Sequence, residues 1–376
     1  MYLQRSGQMM ALLAASTLIL TACGSGNEET PAAPTGAPGA PGESSAPAES
    51  FTGTLNGGGS SAQEAAMEAW RGNFGQANAG VTVNYDPAGS SAGREQFLSG
   101  GLQFAGSDAA LDDEEIAMGK TRCPGGDAIN LPLYVSPVAI IYNLEGVDAL
   151  NLSGPVAADI FNQKITMWND PAIAALNEGT ELPGTAITPV NRQDGSGTTE
   201  NFTDYLAQTG GDKWPYPADG DWPVSGGESA QGTSGVVQAV TDGAGTIGYA
   251  DFSRAGELGV ARVQVGTDFV APSPEGAAKA IETSERLPGR PAGDISLKIN
   301  RTTTDPADYP ISLTAYSIVC TAYADAAAGN LVKGFFSYVV SEDGQNAAAE
   351  NAGSAPLTPA LRDEILTTIK GIKAGA

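Results

Sequence analysis

The chain has 376 residues, of which 41% are hydrophobic and 16% charged, with 49 glycines and 24 prolines. That composition builds globular, turn-rich domains and excludes a disordered chain or a coiled coil. A formal net charge of −24 excludes non-specific binding to nucleic acid or to anionic lipid headgroups, and the absence of histidine excludes His bases, Ser-His-Asp and Cys-His systems and His-ligated metals.

Residues 1–22 read as an export signal: Arg5 supplies the positive start, and Met9 to Leu20 is a mostly apolar run. The run falls short of the roughly 20 residues that span a bilayer. It ends in Leu20-Thr21-Ala22-Cys23, which resembles the bacterial lipobox. The resemblance implies cleavage before Cys23, lipidation of its sulfur with palmitate-type acyl chains, and stable anchoring on a membrane face. The alternative is an ordinary cleavage site beside a chance cysteine. The Pro-, Ala-, Gly- and Ser-rich segment that completes residues 23–50 contains no Lys or Arg and cannot bury apolar surface, so a disordered tether is expected.

From Phe51 onward, apolar β-rich runs alternate with helical patterns, which predicts an α/β body with mainly parallel sheets. Thr52 to Asn56 is the first strand. Ser61 to Phe74 is a helix with Ala62, Ala66, Trp70 and Phe74 on one face. Val81 to Tyr85 is a strand, and Leu131 to Asn143 is a long apolar run broken by Pro132 and Pro137, suited to a crossing between domains. Helices are expected at Val156 to Phe161, Thr198 to Gln208 and Val236 to Thr241, with strands at Ala186 to Asn191 and Ile247 to Ala250. The last third offers strands near Ile311 to Val319, then helices at Ala327 to Val340, Gln345 to Glu350 and Pro359 to Ile372. With Cys23 consumed, Cys123 and Cys320 remain, either as a disulfide, favoured by an oxidising compartment, or as two buried thiols.

Three Gly/Ser turns fall where strands hand over to helices: Gly57-Gly58-Gly59-Ser60-Ser61-Ala62, Gly89-Ser90-Ser91-Ala92-Gly93 and Asp194-Gly195-Ser196-Gly197-Thr198-Thr199. A helix N-terminus has unpaired N–H groups and partial positive charge, glycine lets an anion reach the backbone, and hydroxyls add donors. One such turn is explained by helix capping alone. Three on the same edge of the sheets point to a ligand site. The first turn also fits the dinucleotide fingerprint, with Asp86 downstream, but an exported chain has no ready supply of nicotinamide cofactor. Gly243 to Gly248 matches the same pattern in the order helix, turn, strand, which is backwards for a cofactor loop. Gly119-Lys120-Thr121 lacks the first glycine of a P-loop, since Glu114 stands there.

Arg192 directly precedes the third turn and suits an oxyanion, although a surface or ion-paired arginine would look the same. Asp108, closing Phe104-Ala105-Gly106-Ser107-Asp108, is either a loop or capping acid or a hydrogen-bond acceptor within an anion site. A carboxylate accepts only, so in the second role it selects an oxyanion that still carries a proton. At neutral pH phosphate carries one and sulfate does not.

These segments, with Ala158-Asp159-Ile160-Phe161, Lys164 to Ile173 and Gly245-Thr246-Ile247-Gly248-Tyr249, resemble in order and spacing the substrate-binding protein of the high-affinity phosphate ABC transporter, the PstS family. The resemblance covers nearly all of the chain after the tether. It implies an α/β, two-lobed periplasmic-binding-protein fold of type II, two domains joined by hinge strands with a ligand cleft between. Residues 51–135 and 255–376 would form lobe I, and 136–254 lobe II. The phosphate ligands implied are Ser61, the N–H of Ala62, Ser90 and Asp108 from lobe I, then Arg192, Ser196, the N–H of Gly197 and Thr198 from lobe II, with Asp194 orienting Arg192. The implied protein is a monomeric, lipid-anchored, extracytoplasmic receptor that delivers inorganic phosphate to a membrane permease. It uses no cofactor or metal, performs no catalysis and binds no nucleic acid. The rivals are a receptor for sulfate, molybdate or tungstate, and a secreted phosphatase on the same scaffold.

Overall fold

The computed structural model describes residues 51–376, so the signal peptide, Cys23 and the tether lie outside the described residues. Strand β1 (Thr52–Gly59) runs past the expected Asn56 into the glycines. It does so because the missing side chains admit a neighbouring strand closely: a Cβ on Gly57 would fall 2.0 Å from the Phe104 ring. Helix α1 (Glu64–Ala77) begins after Ser61, Ala62 and Gln63, which form a turn, and buries Ala66, Met67, Trp70 and Phe74. Then come β2 (Gly80–Asp86), α2 (Ser90–Leu98), β3 (Phe104–Ser107) and α3 (Asp113–Arg122). Asp112 caps α3 in a capping box with Glu115, and Gly119-Lys120-Thr121 lies inside this helix rather than in a loop.

Strand β4 (Ala128–Asn143) is buried except at its last residue. After it follow β5 (Leu150–Leu152), α4 (Gly154–Phe161), α5 (Pro171–Ala174), β6 (Thr188–Arg192), α6 (Gly197–Thr209), β7 (Glu228–Ala230), α7 (Gly232–Asp242) and β8 (Thr246–Asp251). The chain then forms β9 (Gly259–Val265), β10 (Asp268–Val270), α8 (Pro274–Glu282), β11 (Glu285–Arg286), β12 (Leu297–Lys298) and β13 (Ser312–Cys320). It closes with β14 (Ala322–Tyr323), α9 (Ala326–Val339), α10 (Glu342–Ala352), α11 (Pro359–Lys370) and β15 (Lys373–Ala374).

The main sheet has the order β2-β1-β3-β13-β4-β8-β6-β7. It is mixed, which corrects the expectation of mainly parallel sheets. Strands β1, β2 and β3 are parallel, as are β6, β7 and β8, but β13 is antiparallel to β3 and β4, and β4 to β8. Apolar periodicity reports burial and not the direction of a partner. Strand β4 joins the two halves: Ala128 to Pro137 pair with β13, and Val138 to Asn143 pair with β8. The register slips between Ala315 and Tyr316, opposite the stretch where Pro132 has no N–H to give the ladder, and Pro137 ends the β13 pairing. The result is a two-lobed α/β fold. Cys123, capping the end of α3, is disulfide-bonded to Cys320 with 5.4 Å between Cα atoms.

Candidate functional site

The parallel strands of both lobes end on the cleft, and their following turns line it. After β1, the Ser60 hydroxyl donates to Asp108 Oδ1 and accepts from the Ala62 N–H at 3.1 Å. Ser90 is the first residue of α2, and its Oγ accepts from the Asp108 N–H at 3.2 Å. Asp108 follows β3 directly and is only 4% exposed.

From the other lobe, Ser196 caps α6 by accepting from the Thr199 N–H at 3.2 Å, and the Thr198 hydroxyl donates to Asp108 Oδ2 at 3.0 Å. Ser61 Oγ lies 3.0 Å from Thr233 Oγ1 and accepts the Thr233 N–H at 3.1 Å. The Ser91 N–H donates to Gly195 O at 3.2 Å. These contacts join the lobes, so the cleft is closed. Gly197 permits the approach, because a Cβ there would stand 2.8 Å from both Asp108 Cβ and Ser90 Oγ.

Arg192 ends β6 with its side chain 2% exposed. Its Nε and Nη2 meet the Asp194 carboxylate as a fork in which Nη1 takes no part. The Gly232 N–H also donates to Asp194 Oδ1 at 2.9 Å. Tyr249 closes the underside: its hydroxyl accepts the Arg192 N–H at 3.3 Å and lies 2.8 Å from Thr199 Oγ1.

Burial pushes the Asp108 carboxyl above its ordinary value, against hydrogen bonds from Ser60 and Thr198 and the charges of Arg192 and Arg94. Burial acts on Asp194 in the same sense, but the Arg192 guanidinium outweighs it and holds that carboxyl below its ordinary value. The site thus offers hydroxyls, helix N-terminal N–H groups and one arginine offset by its own aspartate, with one carboxylate that no arginine pairs, Asp108. That chemistry fits a tetrahedral oxyanion carrying at least one proton. Among the described residues no group of three or more His, Cys, Asp or Glu is placed to hold a metal.

All the residues expected to line the site, from Ser61, Ala62, Ser90 and Asp108 to Arg192, Asp194, Ser196, Gly197 and Thr198, gather in this one cleft. Sequence reasoning missed Ser60, Thr233 and Tyr249. The signal for Thr233 was present: Gln231-Gly232-Thr233-Ser234 is a fourth small-residue turn between a strand and a helix.

Loops from two lobes closing over one buried polar site define a solute-binding protein of the periplasmic-binding class. Residues 41–343 match the model of the PBP superfamily domain. The phosphate-binding protein PstS2 of Mycobacterium bovis is 37% identical over 98% of this chain and 99% of its own length. Phosphate-binding protein PstS of Xylella fastidiosa is 32% identical over 83% of each chain. The chain belongs to the PstS family. Among solved structures, the phosphate-bound high-affinity periplasmic phosphate-binding protein PfluDING shares the fold, with a TM-score of 0.68 and 23% identity over 85% of this chain and 99% of that one. A phosphate-binding protein from Stenotrophomonas maltophilia does so at a TM-score of 0.64 and 21% identity, over 86% of this chain and 99% of that one.

Proposed function

We propose that this protein captures inorganic phosphate outside the cytoplasm and delivers it to the permease of an ABC transporter. The observation that carries the reading is Asp108: an acid buried to 4% exposure, with no arginine paired to it, that accepts from hydroxyls of both lobes. A protonated phosphate oxygen satisfies it, whereas sulfate would set a bare anionic oxygen against a carboxylate. Sites that require one particular hydrogen bond reject its absence by about 10⁴ or more.

Phosphate would replace the mutual contacts of Ser60, Ser61, Thr198 and Thr233 with contacts to itself, and take Arg192 Nη1 and the N–H groups of Ala62 and Gly197. Bridging the lobes, it favours the closed state by its differential affinity for it. In this reading residues 51–135 and 255–376 move as one lobe and 136–254 as the other, about the β4 crossing. No bond of phosphate is made or broken. The lipobox-like run Leu20-Thr21-Ala22-Cys23 supports anchoring through Cys23 on the extracytoplasmic face of the cell membrane, with the tether giving a monomeric domain its reach. Among the described residues no helix is long and apolar enough to cross a membrane.

Calorimetric titration of the full chain with phosphate, arsenate and sulfate tests the proposal. Phosphate and arsenate should bind and sulfate should not. Tight sulfate or molybdate binding, or release of product from a chromogenic phosphoester, would replace this reading with an oxyanion receptor or a phosphatase.

A further inference from the structure

Asn201, one turn into α6, is buried, and its amide makes three bonds. Nδ2 donates to the main-chain oxygens of Asp108 at 2.8 Å and Gly197 at 2.9 Å, both within the site. Oδ1 accepts from Arg301 Nη2 at 2.5 Å. Arg301 comes from the connection between β12 and β13, and its side chain is 3% exposed. Its Nε donates to Asp204 Oδ2 at 2.9 Å, and Nη1 donates to Pro310 O at 3.0 Å and Ser312 O at 2.6 Å. One guanidinium therefore holds the start of β13 on one side and two residues of α6 on the other. Through Asn201 the same linkage reaches the backbone that aims Asp108 and the first turn of α6.

We propose that Arg301 and Asn201 form a latch that holds α6 and the Asp108 loop in register when the lobes close, and so sets how long phosphate stays bound. They act as positioning residues, and neither is placed to touch the anion. An ion pair between buried Arg301 and half-buried Asp204 is useful here because it is reversible. If α6 withdraws with its lobe, Arg301 keeps the Pro310 and Ser312 carbonyls and regains water, so opening strands no buried charge. A polar cavity of about 320 Å³ beside the latch, lined by Asp108, Asn201, Asp204, Lys298 and Arg301 among others, gives water that access.

This inference rests on phosphate being the ligand, and the test separates the two. Asn201→Asp keeps an acceptor for Arg301 but removes the donor to Asp108 O and Gly197 O. Arg301→Lys keeps the charge but not the reach to every acceptor. Phosphate affinity and release are read by equilibrium dialysis and washout, folding by thermal melting without phosphate, and compactness by small-angle scattering with and without it. Each variant should release phosphate about tenfold faster, the scale of one or two lost hydrogen bonds. The double variant should be little worse than either single one, with scattering at saturating phosphate still as compact as the parent. Native release rates in Asn201→Asp, or strictly additive losses in the double variant, would overturn the latch. Should Arg301→Lys fail to fold, Asn201→Asp decides alone. Should the parent protein not bind phosphate, the functional reading falls, and the latch stands or falls on whether Asn201→Asp expands the molecule in scattering.

Discussion

An acid in an anion site is tolerable only if something on the anion donates to it. Asp108 meets that condition because each other polar group around it is a donor or already paired: Ser60 and Thr198 donate to its carboxylate, and Arg192 is occupied on two nitrogens by Asp194. Replacing Asp108 by Asn supplies an N–H where the carboxylate stood. We expect Asp108→Asn to retain phosphate binding at reduced affinity and to admit sulfate, so that sulfate competes with phosphate where it does not in the parent. Acid should act in the same direction, since burial pushes the Asp108 carboxyl up and a protonated Asp108 becomes a donor. Unchanged sulfate rejection in a competition titration would sink the assigned role. At this scale the gathering of Ser61, Ser90, Asp108, Arg192 and Thr198 in one cleft was legible, because each stands at a strand end or at the start of the helix that follows, in small-residue company. The choice between Ser60 and Ser61 was not legible. Adjacent serines are equivalent in sequence, and only the backbone turn decides that Ser60 reaches Asp108 while Ser61 reaches Thr233.

Helix α6 carries part of the lobe II contribution, and its first turn also holds Glu200. A carboxylate there suits the helix dipole, yet burial, aided by Glu115, Asp219 and Asp204 and opposed by Arg94, raises its pKa from 4.5 to about 7. The sign follows from proton uptake. Between 4.5 and about 7 the folded protein holds a proton that the unfolded chain has lost, so stability falls as pH rises through that window. The penalty is absent below it and complete above it. Glu200→Gln should therefore stabilise the protein at pH 8 by about 2 kcal/mol, after the lost dipole contribution is allowed for, and change little at pH 4.5. Urea unfolding at the two pH values measures this, and an equal shift at both would refute it. Elements were the most legible scale. The segments expected around Val81, Thr198, Val236 and Pro359 all form, with ends moved by a few residues. Strand direction was not legible, and neither was the passage of β1 through its glycines, which depends on a ring from β3.

At the scale of the molecule, the two-lobed plan was visible in the sequence through motif order and through the long apolar run from Leu131 to Asn143, whose length suits one strand serving both lobes. Strand β4 does so, and the disulfide brackets that crossing. Cys123 precedes β4 and Cys320 ends β13, at a sequence separation of 197 that takes in every element from β4 to β12. In the chain-entropy model a closure of that length limits the unfolded state by up to roughly 5 kcal/mol. Its position keeps it out of the binding chemistry. Ile318 pairs with Ala105 and Tyr316 with Ser107, so Cys320 lies beyond the start of β3, opposite the edge where Asp108 leaves the sheet. The variant C123A/C320A should then unfold at markedly lower urea while its phosphate dissociation constant stays within about twofold of the parent's, since additivity holds for distant sites with no shared partner. A large loss of affinity in the folded variant would mean that the cross-link shapes the cleft through β13 and not merely the stability of the lobe that anchors it.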